Sequence, residues 1–403
     1  MTLVNVLDIL LLVAAVWFAI VGYRQGFVVG ILSVIGFLGG GLIAVSLLPL
    51  IWDRVTDNGT QVSTTVVVIA VVVIIVCASI GQAFTTHLGN RLRRHITWSP
   101  ARALDATGGA LVNVVAMLLV AWLIGSALAG TSLPTLGKEV RNSKVLLGVS
   151  RVLPAQANTW FSDFSSTLAR SGFPQVFSPF SNEPITEVKA PDPALARSPV
   201  AEAAKRSIVK VVGTAPSCSK VLEGTGFVFA PGKVMTNAHV VGGVGEPTVQ
   251  IGGEGKLYDG KVVLYDWERD IAVLDVPKLK APALEFTDKD ASSGSDAIVA
   301  GFPENGAYDV RAARVRGRIN ANGPDIYHRG TVRRDVYSLY ATVRQGNSGG
   351  PLLTPDGKVY GVVFAKSLDD PNTGYALTAD EVRDDIRIGK ISDRRVDSQG
   401  CAL

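Results

Sequence analysis

The chain has 403 residues, 47% of them hydrophobic, and a formal net charge of +4. That length exceeds one ordinary domain. A charge so small, with no Lys/Arg block interleaved with aromatics, excludes the nucleic-acid-binding classes. Three cysteines occur, Cys77, Cys218 and Cys401, with no Cys-x-x-Cys or Cys/His cluster, so neither a metal nor a cofactor is expected.

Four apolar runs open the chain, at about 5 to 22, 27 to 50, 64 to 84 and 106 to 129. Each is long enough to cross roughly 30 Å of hydrocarbon, which takes about 20 helical residues. A cleavable signal peptide competes for the first run, but it lacks a basic start and a second run follows at once. Arg24 lies in the first loop, and Arg91, Arg93, Arg94 and Arg102 lie in the third, whereas Arg54 in the second is offset by Asp53 and Asp57. Because Lys and Arg accumulate on the cytoplasmic side, these loops predict an outside N-terminus and an extracytoplasmic location for everything beyond residue 130. Cys218 and Cys401 would then sit in an oxidising compartment and pair. Gly39 to Gly41, Gly108 and Gly109 permit close helix contact in lipid. Asp8 and the Gly22-Tyr23-Arg24-Gln25-Gly26 turn give this stretch a resemblance to the colicin V production family.

Residues 131 to 173 carry apolar positions at helical spacing, among them Val140, Val145, Leu146, Val149, Val152 and Leu153, and predict a juxtamembrane helical segment. From Phe173 to Val200 the chain turns to Pro, Ser, Asn and charge, which predicts an exposed linker open to proteolysis and so to self-cleavage. The division expected is therefore 1–130 membrane domain, 131–200 juxtamembrane segment and linker, and 201–403 soluble domain.

Beyond residue 207 short apolar strands alternate with turns: 207–212, 226–229, 233–236, 248–251, 261–265, 271–276, 297–301, 337–342, 352–353 and 359–364. Many short strands at close spacing mean a sandwich or a barrel. A terminal helix is predicted over 378–388, with Thr378 as cap and Glu381 at the capping-box position.

Three segments carry chemistry: Thr236-Asn237-Ala238-His239-Val240-Val241, Arg269-Asp270-Ile271-Ala272-Val273-Leu274 and Arg344-Gln345-Gly346-Asn347-Ser348-Gly349-Gly350-Pro351. Peptide acyl transfer needs a nucleophile, a base to take its proton and a carboxylate to orient that base, which Ser348, His239 and Asp270 supply. The turn Gly346-Asn347-Ser348 would form the oxyanion hole, with the Gly346 and Ser348 amides as donors. Each piece alone is common: a glycine-rich turn is often only a loop, and a lone histidine is more often structural. Asp266 and Asp275 compete with Asp270. Of the other histidines, His87 and His95 fall near a span, and His328 lies in a polar turn.

In the order His, Asp, Ser and with these flanks, the motifs resemble the chymotrypsin-like serine proteases, and in particular the trypsin-like branch that includes the HtrA proteases, over about 205 to 390. The resemblance implies an all-β double barrel of two six-stranded barrels with the triad between them. Together with the helices ahead of it, the chain is similar to membrane-anchored proteases associated with acid resistance, which implies a periplasmic activity supporting survival at low pH. Too few residues follow Ser348 for the PDZ domain of HtrA proteins. By position relative to Ser348, Thr342 is expected at the base of the substrate pocket. Phe364, Ala365, Lys366, Thr373, Gly374 and Tyr375 are expected as its walls; no acid at the base points to an uncharged residue before the cut. Expected partners are the lipid bilayer and extracytoplasmic protein substrates, the chain itself and cell-wall hydrolases among them. Two other readings are a transport or secretion factor with an accessory protease, which the lack of ionisable residues in mid-span opposes, and a pseudo-protease, which the intact motifs oppose.

Overall fold

The structure, a computed structural model, describes residues 5–55, 64–95, 98–129, 134–153, 173–178, 183–218 and 220–402. The chain divides into two compact units, one formed by 1–124 with 143–150, the other by 125–142 with 151–403.

In the first unit the apolar runs are helices: α1 (Val6–Gln25), α2 (Phe27–Val55), α3 (Thr64–Arg93) and α4 (Ser99–Ala129). Among the described residues three stretches are long and apolar enough to cross a membrane, Val6–Gln25, Phe27–Ala44 and Ser99–Ser126. The third expected run, 64–84, is helical, but much of it falls outside the residues whose side chains are described. Large apolar side chains face outward, Trp17 being 66% and Leu42 68% exposed. Inside, glycine brings the helices together: a Cβ on Gly109 would lie 2.3 Å from the Gly22 carbonyl oxygen, so no larger residue fits. Two buried carboxylates sit at helix N-termini, where free amides and the helix dipole favour negative charge. Asp8 accepts from Ser143 Oγ at 2.5 Å and from the Lys144 and Val145 amides at the start of α6 (Lys144–Val152). Asp105 accepts from the Val28 amide at 3.1 Å and from Arg93 Nε at 2.7 Å.

The second unit begins with the end of α4 and with α5 (Pro134–Arg141). Residues 154–172, and with them part of the predicted juxtamembrane segment, lie outside the described residues. Phe173 and Val176 are buried and join the protein core, a departure from the exposure expected for 173–200. A short 3-10 turn (Pro193–Arg197) and α7 (Pro199–Ala204) lead into the strands, thirteen among the described residues.

Seven strands form one sheet, ordered β5-β4-β1-β2-β3-β7-β6: β1 (Ile208–Ala215), β2 (Lys220–Ala230), β3 (Lys233–Thr236), β4 (Thr248–Ile251), β5 (Leu257–Asp259), β6 (Lys261–Asp266) and β7 (Ile271–Asp275). Its two edge strands, β5 and β6, are joined by Gly260 alone, so the sheet curls until its edges come close. The other six strands close a barrel ordered β10-β13-β12-β11-β8-β9. They are β8 (Asp296–Gly301), β9 (Asp309–Pro324), β10 (Thr331–Tyr340), β11 (Pro351–Leu353), β12 (Val359–Lys366) and β13 (Thr373–Thr378).

Several features differ from expectation: the first sheet has seven strands where a six-stranded barrel was expected, and β5 lies where no strand was expected. β9, sixteen residues long, was not anticipated. β13 occupies residues read as pocket wall and helix cap. The terminal helix is α9 (Arg383–Ile391), not 378–388. Thr378 Oγ1 does accept from the Glu381 amide at 3.1 Å, but the Glu381 carboxylate reaches the Asp335 amide instead of closing a capping box.

Candidate active site

His239 sits on α8 (Ala238–Val241), a single turn that follows β3 directly, so the strand fixes where the imidazole emerges. Asp270 immediately precedes β7, the neighbour of β3. Its backbone is left-handed, with φ 65°, a conformation aspartate tolerates better than most residues and one that marks a constrained position. Asn237 Nδ2 donates to the Asp270 carbonyl at 2.7 Å and holds that turn. The carboxylate then receives two hydrogen bonds from the histidine: the His239 amide to Oδ1 at 2.9 Å and Nδ1 to Oδ2 at 2.7 Å. Asp270 is 0% exposed and His239 is buried, and the contact suits the tautomer in which Nδ1–H donates to the carboxylate.

Ser348 lies in the turn between β10 and β11 and is buried. Gly346 has φ 93°, open only to glycine at low cost. The Asn347 amide donates to the Arg344 carbonyl at 3.0 Å, while the Arg344 amide donates to Asn347 Oδ1 at 2.9 Å. Among the described residues no carbonyl accepts from the Gly346 or Ser348 amides. Asn347 is thus engaged within the turn, and the two flanking amides are not. Ser348 Oγ donates to the Phe364 carbonyl at 3.5 Å, and no hydrogen bond joins it to His239 in this state.

Sequence reasoning missed Thr225. Its Oγ1 donates to the Gly346 carbonyl at 2.6 Å and accepts from the Phe302 amide at 3.0 Å. Its own amide donates to the Ser348 carbonyl at 2.9 Å, and its carbonyl accepts from Thr236 Oγ1 at 2.7 Å. One threonine therefore links the serine turn to the strand that presents the histidine. The signal was the Gly224-Thr225-Gly226 triplet within an apolar strand, where small flanking residues allow a close backbone approach.

The competing residues are engaged elsewhere. Asp275 pairs with Lys233 at 2.8 Å and Lys261 at 3.1 Å, and Asp266 with Arg269 at 2.8 Å. Arg334, fully buried, donates to the Glu268 and Pro324 carbonyls, and burial pulls its pKa below the usual guanidinium range.

Of the residues expected to form the substrate pocket, Phe364, Ala365 and Lys366 end β12, and Thr373 and Gly374 open β13. The two stretches pair with Ala365 opposite Tyr375 and Lys366 opposite Gly374. Thr342, expected at the base, is exposed, and Val343 packs where a Cβ on Gly374 would fall. Lys366 Nζ stands 5.4 Å from the centre of the Phe173 ring. Cys218 and Cys401 are bonded, with Cα atoms 6.4 Å apart. Among the described residues no His/Cys/Asp/Glu group is arranged to hold a metal.

Two families match. The trypsin-like peptidase domain covers residues 224–362 and the colicin V production protein covers 7–154. The serine protease Rv3671c of Mycobacterium tuberculosis is 41% identical over 378 residues, 93% of this chain and 94% of that protein. A crystal structure of the Rv3671c protease in its active form superposes with a TM-score of 0.54 at 45% identity, covering 57% of this chain and all of that one. A probable periplasmic DegP-like serine endoprotease of Chlamydia pneumoniae is 34% identical over 149 residues, 36% of this chain and 29% of that protein.

Proposed function

Because the chain belongs to the trypsin-like serine proteases that carry a colicin V production-type helical region, we propose that it cleaves proteins outside the cytoplasm through a Ser348-His239-Asp270 acyl-enzyme mechanism. It is a serine protease associated with a membrane. The observation that carries the mechanism is the buried Asp270 carboxylate bonded to both the amide and Nδ1 of His239, which leaves Nε2 to act as base.

In this reading Ser348 Oγ turns from the Phe364 carbonyl towards His239, gives its proton to Nε2 and attacks the substrate carbonyl carbon. The oxyanion takes hydrogen bonds from the Gly346 and Ser348 amides. The tetrahedral intermediate collapses, the peptide C–N bond breaks, and Nε2 returns the proton to the leaving amine. Water, deprotonated by the same nitrogen, then hydrolyses the acyl-enzyme. Phe364 to Lys366 and Thr373 to Tyr375 would form the walls of the pocket, with Thr342 near its base.

The arginine-rich loops support four spans, 1–130, with the segment 131–200 and the protease, 201–403, on the periplasmic side. The curled sheet and the closed barrel would be the two barrels of the family fold. Self-cleavage in the connecting segment and a role in acid or envelope stress extend this reading. Cell-wall hydrolases are substrates suggested by location.

The test is labelling of the full chain in detergent by a fluorophosphonate probe. We expect Ser348→Ala to abolish labelling and to lower peptide turnover by about 10⁴-fold or more. Labelling that persists in Ser348→Ala would sink the assignment. Any cut in the connecting segment must also disappear in that variant.

A further inference from the structure

The hairpin between β12 and β13, residues 367–372, continues directly from the ends of the two paired strands that carry the proposed pocket walls, so a movement of its tip is passed to those ends. Side chains from well upstream of the matched protease family hold that tip. Glu183 accepts from Ser367 Oγ, from the Leu368 amide at 3.1 Å and from Tyr375 OH at 3.0 Å. Ser367 Oγ in turn accepts from the Asp369 and Asp370 amides, both at 3.0 Å. Arg141, at the end of α5, is buried; its Nε and Nη2 both reach Asp369 Oδ1, at 3.1 and 2.5 Å, and Nη2 also donates to the Leu368 carbonyl at 3.4 Å. Arg316 of β9 binds Asp370 Oδ2 at 3.2 Å and the Thr186 carbonyl at 2.9 Å, its guanidinium 4.6 Å from the centre of the Tyr340 ring. Phe177 packs edge-on against Tyr375, with ring centres 5.5 Å apart.

The charges explain why the upstream pieces matter. Glu183, Asp369 and Asp370 crowd one hairpin tip, and Arg141 and Arg316 are the cations among them. Burial, with Asp369 adding to it, pushes the Glu183 carboxyl above the usual carboxylate range. Removing Arg141 would leave Asp369 beside Glu183 without its guanidinium, and the tip would be driven apart.

Resting on the serine-protease reading above, we propose that Arg141 and Glu183 are positioning residues for substrate specificity, clamping the 367–372 hairpin so that the ends of the pocket-wall strands keep the position in which they bind substrate. The segments before residue 201 thereby become part of the substrate-binding apparatus.

The test uses the full chain in detergent, with fluorogenic peptides that differ only in the residue before the cut. Arg141→Ala and Glu183→Ala should each raise KM about tenfold while kcat moves less than about twofold, and should alter the ranking of the peptides. Arg141→Ala with Asp369→Ala should be no worse than Arg141→Ala alone, as expected for partners in one contact. Arg141→Lys and Glu183→Gln, which preserve part of the contacts, should fold and give intermediate KM values. An unchanged KM in these conservative variants, with wild type labelled at Ser348 by the fluorophosphonate, overturns the clamp alone. Failure of wild type to label overturns the catalytic reading, and the clamp with it.

Discussion

The two units solve opposite burial problems with the same amino acids. In the helical unit large side chains such as Leu42, Trp17 and Phe84 stand outside, while Leu11, Leu146 and Trp122 are buried, and tight contacts are made by glycine, alanine and two helix-capping aspartates. In the protease unit leucine, phenylalanine and valine fill the interior, and charge lies at the surface or in ion pairs, with buried Arg334 and Asp385 among the exceptions. Lipid rewards an apolar exterior and leaves close packing and polar pairing to hold helices together, whereas water drives apolar area inward. One chain thus carries two interiors that are built differently and should fail differently.

Reduction offers the largest effect. The bond between Cys218 and Cys401 spans 183 residues of sequence, all within the protease unit. Cys218→Ser with Cys401→Ser should cost about 4 kcal/mol, read as a lowered protease melting transition in detergent, with the helical transition unmoved. A joint shift of both transitions would break the comparison.

Paired leucine truncations come next. Leu377→Ala, at a fully buried barrel position, should cost about 3 kcal/mol. Leu42→Ala, on an outward helical face, should change unfolding in detergent by less than about 0.5 kcal/mol. Equal losses would mean that the outward face of α2 packs against protein.

A third effect, smaller than the loss at Leu377, depends on pH. Asp385 on α9 is buried, one carboxyl oxygen lacks any hydrogen-bond partner, and burial with nearby Asp266 pushes its pKa up to about 7. A carboxyl raised from 3.8 on folding stabilises the protein fully below that value and loses this contribution as pH rises through about 7. Asp385→Asn should therefore match wild type near pH 4 and exceed it by about 2 kcal/mol near pH 8, measured by urea unfolding. Parallel wild-type and variant curves across that range would show that Asp385 titrates normally.

Apolar rhythm made most of this architecture legible. The four runs became helices, and β3 and β4 occupy the residues read from the sequence, because short runs of Val, Ile and Met between turn residues admit little else. β9 stayed hidden because its pattern, Asp-Val-Arg-Ala-Ala-Arg-Val-Arg-Gly-Arg, alternates arginine with small residues. Three of those arginines are matched by partners outside the strand: Arg314 by Asp296, Arg316 by Asp370, Arg318 by Asp335. At the candidate site, motif flanks were enough to nominate His239, Asp270 and Ser348. The supporting contacts of Thr225, Arg141 and Glu183 depend on tertiary neighbours that no local pattern encodes.

The ring closed by Cys218 and Cys401 also governs how damage to this protein will look on a gel. It encloses the candidate triad, the hairpin tip and every strand from β2 onward. A single cut anywhere inside it leaves two polypeptides joined by sulfur, migrating as one species until reductant is added. A cut upstream of residue 218 separates the fragments at once, whatever the redox state of the sample. Paired lanes with and without thiol therefore sort release of the protease from internal nicking before any fragment is sequenced.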